Sequence, residues 1–332
     1  MEQRLGEVAG IAHAVVGAGR PLVYVTGWLS HLQLSWEGAE RAFYEALGRG
    51  RRLVRYDRAG CGLSPATGGP ASLRSELDQL AAVASTLDEP FDLMGTSMGA
   101  PVAVAWAARH PATVRRLVLY GGWAHGAELS PPPVRDHVLG LIDAHWGLGS
   151  EVLTDLFAPD ADPATRAEAA RYQRACSPAA TARELLELSY SLDVRADLGR
   201  VRAPTLVIHR RGDRAAPVAQ AEALAAGIDG AELALLTGRS HLPYAGDREE
   251  LVRRIRRFLG LPLGRRQGLT ARQREVAALV SAGCTNREIA ERLGIDERSA
   301  EGHVERILVR LGFRSRARIA AWYAAEVGCF PA

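Results

Sequence analysis

Phe91-Asp92-Leu93-Met94-Gly95-Thr96-Ser97-Met98-Gly99 decides how the larger part of this 332-residue chain is read. A short apolar run suited to a strand leads into G-x-S-x-G, and a helical stretch begins near Met98. The spacing predicts a strand, a sharp turn and a helix. Ser97 then sits on a strained backbone with its hydroxyl lifted above a sheet, while Gly95 and Gly99 leave room for a neighbouring strand and helix. In a chain with 34 glycines the five-residue pattern alone is weak, and its placement between a strand and a helix is what gives it weight.

Outward from this turn the chain alternates β-branched runs with helical stretches, which predicts a doubly wound, mostly parallel α/β sheet covered by helices. Strands are expected at 22–25, 53–56, 91–94, 117–120, 205–209 and 233–236. Helices are expected at 39–47, 73–87, 98–109, 218–226 and 249–259. The interval from about 123 to 200 holds helical segments and proline-rich turns without a clear strand, and reads as an inserted helical cap. Gly264-Arg265-Arg266-Gln267-Gly268 follows Leu261-Pro262-Leu263 with little periodicity. The expected organisation is therefore a first domain over 1–262, a linker over 263–268 and a second domain over 269–332.

A serine on such a turn needs a base, and the base needs an acid to orient it. Thr205-Leu206-Val207-Ile208-His209-Arg210-Arg211-Gly212-Asp213 supplies a strand followed by an acid. The corresponding position after the strand ending at Tyr120 holds only Gly121 and Gly122, so Asp213 is the better candidate. Leu235-Leu236-Thr237-Gly238-Arg239-Ser240-His241 places a histidine after the last strand. His241 would take the proton from Ser97, and Asp213 would fix the imidazole tautomer. The backbone N–H groups of Trp28 and Met98 would form an oxyanion hole.

The order Ser, Asp, His on this frame resembles the α/β-hydrolase superfamily over residues of about 10 to 260. Asp57-Arg58-Ala59-Gly60-Cys61-Gly62-Leu63-Ser64 resembles that family's D-x-R-G-x-G-x-S loop, with Ala59 where arginine is usual, and Thr26-Gly27-Trp28 stands where many members have His-Gly. The resemblance implies a serine hydrolase site for esters, lactones, amides or related acyl compounds, with no cofactor. Trp28, His31, Trp36, Trp123, His125, His145, Trp146 and Tyr190 are expected on the loops or cap above an apolar, aromatic-lined pocket for a small ligand.

Beyond the linker everything reads helical. Thr270-Ala271-Arg272-Gln273 and Thr285-Asn286-Arg287-Glu288 fit capping boxes, Gly283 and Gly294 fit helix ends, Asp296 fits the cap of a third helix and Ser315 that of a fourth. Val304, Ile307, Leu308 and Leu311 form one apolar stripe. Two short helices joined by a glycine turn make a helix-turn-helix, and the four together a small all-α domain.

Leu269-Thr270-Ala271-Arg272-Gln273-Arg274-Glu275-Val276, Asn286-Arg287-Glu288-Ile289-Ala290-Glu291-Arg292-Leu293, His303-Val304-Glu305-Arg306-Ile307-Leu308 and Leu311-Gly312-Phe313-Arg314-Ser315-Arg316 closely resemble the LuxR-type helix-turn-helix. That resemblance implies binding to double-stranded DNA as a homodimer, with the third helix in the major groove. Thr285, Arg298, Arg306 and Arg310 would hold phosphates, and Asn286 and Ser299 are further contact candidates. Glu301, Gly302 and Glu305 would face base edges.

Composition fits this division. From Gly264 onward 12 arginines face 8 carboxylates, a net of +4, whereas the whole chain carries +3, so the larger part is near −1. No lysine is present. Cys61, Cys176, Cys284 and Cys329 form no CxxC pair, which points away from a zinc cage or a disulfide framework, and no metal is expected. The longest near-continuous apolar stretch, 100–108, is far short of the roughly 18 residues of a membrane span. The acidic start lacks the basic and apolar regions of a signal peptide, so the expected location is the cytoplasm. No phosphate-binding loop is present, which argues against an ATP-driven device.

The two halves together predict a DNA-binding transcriptional regulator whose large domain senses a small acyl compound, an ester or lactone, with or without hydrolysing it. The alternative is an active serine esterase or lactonase with an accessory DNA-binding head.

Overall fold

The computed structural model describes residues 1–66, 68–262, 269–311, 313 and 315–327. The proposed linker, Gly312 and Arg314 of the helix-turn-helix motif, and Cys329 lie outside the described residues. The chain divides into two compact units, Met1–Pro262 and Leu263–Ala332.

The first unit is built on one eight-stranded sheet. In chain order its strands are β1 (Gln3–Val8), β2 (Ile11–Gly17), β3 (Pro21–Val25), β4 (Arg52–Tyr56), β5 (Phe91–Thr96), β6 (Val114–Tyr120), β7 (Thr205–Arg210) and β8 (Glu232–Leu236), arranged β1-β2-β4-β3-β5-β6-β7-β8. From β4 to β8 every pairing is parallel, and β2 and β1 add antiparallel at one edge.

All six expected strands are present. The alternation from Pro21 onward did not reveal β1 and β2, and the reason is physical. β1 is exposed along most of its length and carries polar residues on both faces, so its pairing depends on β2 beside it rather than on a hydrophobic pattern. The strands β3, β5 and β7, by contrast, are buried along their whole length, and each holds a short apolar run that marks it in the sequence.

The sheet is sandwiched between two apolar layers. On one side α3 (Leu73–Ala84), α4 (Gly99–Arg109) and α10 (Val218–Gly227) pack through Leu80, Val83, Val104 and Leu224. On the other, α2 (Arg41–Gly48) and α11 (Arg248–Phe258) bury Phe43, Leu47, Leu251 and Ile255. α1 (Leu32–Glu37) is a short helix that the sequence pattern did not reveal.

Between β6 and β7 the chain is helical, as expected: α5 (Pro132–Ala144), α6 (Trp146–Phe157), α7 (Pro163–Cys176), α8 (Ala179–Ser191) and α9 (Arg195–Leu198). Its only β feature among the described residues is the isolated bridge of His125 to Asp193. No helix of the described residues is long and apolar enough to cross a membrane.

The second unit contains α12 (Ala271–Ser281), α13 (Asn286–Leu293), α14 (Glu297–Leu311) and α15 (Arg316–Val327). Both expected capping boxes form, Thr270 with Gln273 and Thr285 with Glu288. Gly294 ends α13 in the left-handed conformation that favours glycine. Val276, Val280, Ile289, Val304, Ile307 and Ile319 close the core.

Candidate functional site

Ser97 leaves β5 with φ of 54°, one of two described non-glycine residues with positive φ. Such a backbone costs energy and persists only where its surroundings enforce it. Here the enforcement is close approach. A Cβ on Gly99 would lie 2.2 Å from the carbonyl oxygen of Val25 on β3, and one on Gly95 would lie 2.4 Å from that of Gly99, so the helix starts directly against the neighbouring strand. Ser97 N–H donates to the Tyr120 carbonyl at 2.8 Å, which fixes the turn to β6.

Asp213 follows β7 and His241 follows β8, both at the carboxyl ends of parallel strands, where α/β sheets place their ligands. His241 Nδ1 lies 2.7 Å from Asp213 Oδ2, and its Nε2 lies 2.7 Å from Ser97 Oγ. Burial pushes the Asp213 carboxyl up. The facing His241, its hydrogen bond, His209 and the Ala215 N–H outweigh that, and the net shift is downward, so the group is ionised. A carboxylate only accepts, hence Nδ1 carries the imidazole proton and Nε2 is left to accept from the Ser97 hydroxyl. Asp213 Oδ1 is held in turn by the backbone N–H groups of Ala215 and Ala216. This geometry can relay a proton away from Ser97 Oγ as it attacks a carbonyl.

The backbone N–H groups of Trp28 and Met98 have no intramolecular acceptor among the described residues. Met98 starts the helix turn of α4, and Trp28 follows β3. The loop carrying Trp28 is fixed by residues that motif reading did not assign. Arg58 is fully buried; its Nε donates to Glu76 at 2.7 Å and its Nη1 to the carbonyl of Gly27. Asp57 accepts from Ser30 Oγ, Leu32 N–H and Leu63 N–H, which ties this loop to the turn after β4. The D-x-x-G-x-G-x-S stretch therefore works as a clamp on the loop beside Ser97.

Ser97 and His241 open into a cavity that is partly open to solvent. Of the eight aromatic and histidine side chains expected around it, Trp28 alone is among its lining. Trp146 packs edge-on against Trp28 and donates to the Ser177 carbonyl, Trp36 stacks under Arg41, and His31 and His145 accept N–H groups at helix starts. These are structural duties. The lining aromatics are instead Tyr24, Tyr44, Phe157, Tyr172 and Tyr244, which come from five separate segments and carry no shared sequence signal.

In the second unit Arg298, Glu301, Glu305 and Arg306 are exposed on α14, and Gly302 is half-buried beside them. Glu301 and Glu305, one turn apart, lie on one face with Arg298. Other candidates are engaged internally. Arg310 donates to Gln273 Oε1 at 2.9 Å, and Asn286 Oδ1 accepts from Arg316 at 2.6 Å. The hydroxyls of Thr285 and Ser299 are bound to Glu288 and Asp296 in their own helix caps.

Two family models match the chain: the alpha/beta hydrolase fold over residues 20–244, and the bacterial regulatory proteins of the luxR family over residues 267–323. Among curated proteins the chain is similar to a pyrrolizixenacetamide deacetylase from Xenorhabdus hominickii, with 29% identity over 76% of this chain and 95% of that protein. It is also similar to the AB hydrolase superfamily protein YisY of Bacillus subtilis, with 28% identity over 73% of this chain and 92% of that protein. The crystal structure of an enol-lactonase from Burkholderia xenovorans superposes with a TM-score of 0.65 at 24% identity, covering 77% of this chain and all of that one, and speaks for the fold alone. The chain thus belongs to the α/β-hydrolase family and carries, at its C-terminal end, a DNA-binding domain of the LuxR family of bacterial regulatory proteins.

Proposed function

We propose that this protein is a transcriptional regulator that reads a small acyl compound through its hydrolase-fold domain and acts on DNA as a homodimer through its helix-turn-helix. The observation that carries the reading is the hydrogen-bonded line from Ser97 Oγ through His241 to Asp213, opening into a partly open, aromatic-lined cavity on a chain that also bears a LuxR-type domain. Ser97 is the nucleophile, His241 the base, Asp213 the orienting acid, and the N–H groups of Trp28 and Met98 hold the oxyanion. Esters and lactones suit a serine nucleophile of this kind. The chain divides functionally as 1–262, a linker at 263–268 and 269–332, and works in the cytoplasm.

On the DNA side, Arg298 and Arg306 contact phosphates, Glu301, Gly302 and Glu305 face base edges, and the start of α13 at Thr285 sits on the backbone. For Asn286, Ser299 and Arg310 the internal hydrogen bonds favour a supporting role.

Intact-mass measurement after a fluorophosphonate probe, on the native chain and on Ser97→Ala, tests the site. A single adduct that vanishes in Ser97→Ala is expected. If the native chain stays unlabelled while its cavity is open to the probe, the nucleophile assignment fails. DNA binding of the two proteins with and without a labelled or hydrolysable acyl compound then separates a regulator from a plain esterase or lactonase, for which DNA binding would not respond.

A further inference from the structure

Proton relay and oxyanion binding leave part of the Ser97 cavity unused. Glu40, which precedes α2, lines it together with Tyr24, Tyr44, Tyr172, Tyr244 and Gln173. Glu40 is 6% exposed, and no cation lies within ion-pair distance of it among the described residues. The field of Arg55 reaches it, but that guanidinium lies 3.8 Å from the centre of the Tyr44 ring and donates to Ser35 Oγ and to Gln3. A buried carboxyl without its own cation is expensive to ionise.

Gln173 supplies an independent sign. Its amide N–H₂ donates to the Ser150 carbonyl and to Thr154 Oγ1, and the Thr154 hydroxyl itself donates to Ser150. That fixes the amide orientation and leaves Gln173 Oε1 as a buried acceptor with no partner. One unpaired acceptor and a buried carboxyl without a cation thus share a cavity with four phenol rings, and aromatic rings around a cavity attract cations.

We propose that this part of the cavity receives a protonated amino group, so that the acyl compound taken by the site carries a basic nitrogen remote from its reacting carbonyl. The proposal rests on the cavity being the ligand site. An ammonium group offers Glu40 a compensating charge and has further N–H groups to donate to an acceptor such as Gln173 Oε1, whereas a neutral hydroxyl offers one proton and leaves the carboxylate uncompensated. The charged and titratable groups that act on Glu40 are Tyr24 of β3, Arg55 of β4, Tyr44 of α2, Glu168, Tyr172 and Cys176 of α7, and Tyr244. Burial lifts the Glu40 carboxyl to about 7, against its own backbone N–H, a hydrogen bond from Tyr244 and the field of Arg55, which lower it. Binding of an ammonium therefore expels a proton, and affinity rises with pH across neutrality.

Calorimetric titration of the full-length Ser97→Ala chain with hexylammonium chloride and with 1-hexanol, at pH 6 and pH 8, decides the matter. We expect hexylammonium to bind at least about tenfold tighter than hexanol at pH 8, with the preference narrowing at pH 6. Glu40→Gln, checked for folding by its melting temperature, should lose the preference and keep the hexanol affinity. Equal affinity for the two compounds, a preference that survives Glu40→Gln, or no binding of either overturns the proposal. If Glu40→Gln does not fold, a preference that fails to narrow at pH 6 overturns it instead. Because the readout is binding to a chain without Ser97, it is independent of whether the fluorophosphonate adduct forms.

Discussion

In the small unit, the features that orient α14 are close in sequence to what they hold. The Thr285 hydroxyl caps α13 three residues on, Asp296 accepts the Ser299 N–H three residues on, and Gly294 turns the chain between them. In the large unit, His241 meets Ser97 across 144 residues of sequence and Asp213 across 28. Local chemistry sets the helix-turn-helix, whereas the reactive line exists only once β5, β7 and β8 lie in one sheet. Each half is therefore vulnerable in its own way: the first to loss of a cap or a small core, the second to anything that moves one strand end against another.

The largest expected effect breaks the reactive line. Ser97→Ala or His241→Ala should lower acyl turnover by a factor on the order of 10⁴ or more, measured as kcat with an activated ester, and the double substitution should add little. A native chain with no turnover to lose would leave the cavity as a binding site and shift the comparison from chemistry to shape.

Next comes the clamp behind Trp28. Arg58→Met strands Glu76 as an unpaired buried charge and should destabilise the large unit by about 3–5 kcal/mol in urea unfolding. Adding Glu76→Leu should restore part of that, while the small unit's transition stays where it was. An unchanged midpoint in Arg58→Met would mean that the loop is held by Asp57 alone.

A third test uses pH. The Glu40 carboxyl titrates at about 7 in the folded chain against an ordinary 4.5, so the folded state holds the proton more tightly. Its contribution to stability is greatest below about pH 4.5 and is lost as pH rises through 7, on the order of 3 kcal/mol in all. Denaturant titrations at pH 5 and pH 8 should show this decline in the native large unit and not in Glu40→Gln. The Asp213 carboxyl, held below its ordinary value, acts in the opposite sense: its contribution is present above about pH 4 and disappears on acidification.

Smaller effects belong to the small unit. Thr285→Ala removes a capping box and should cost about 1 kcal/mol in that unit's melting, with no change in the large one. The smallest separates contact from support: Arg306→Ala should reduce the salt slope of DNA binding by about one while leaving stability alone. Arg310→Ala, which loses its bond to Gln273, should lower the melting temperature of the small unit instead. The reverse pattern would exchange the two roles.

The capping boxes, the glycine ends and the stripe of Val304 and Ile307 could be read directly, because helix signals lie within one or two turns of the residues they govern. The turn at Ser97 and the strand ends before Asp213 and His241 were legible for the same reason. β1 was not, since an exposed, polar edge strand has no periodicity of its own to betray it. Nor was most of the cavity wall: of the tryptophans and histidines that looked suited to it only Trp28 lines it, and the tyrosines that do are scattered.

What could be read from the sequence was the alternation of strands and helices from β3 onward apart from α1, the strained turn at Ser97, the positions of Asp213 and His241 after later strands, and the caps and glycine ends of the helix-turn-helix. Those follow from short-range sterics, hydrophobic periodicity and capping. Only the tertiary structure decided that Arg58 pins the Gly27 carbonyl, that Asn286 and Arg310 are engaged within their own unit, and that Glu40 and four tyrosines share a cavity with Ser97. Those contacts join side chains from segments far apart in the chain, and their partners are chosen by the packing of the sheet, its helices and the cap rather than by any residue's neighbours in sequence.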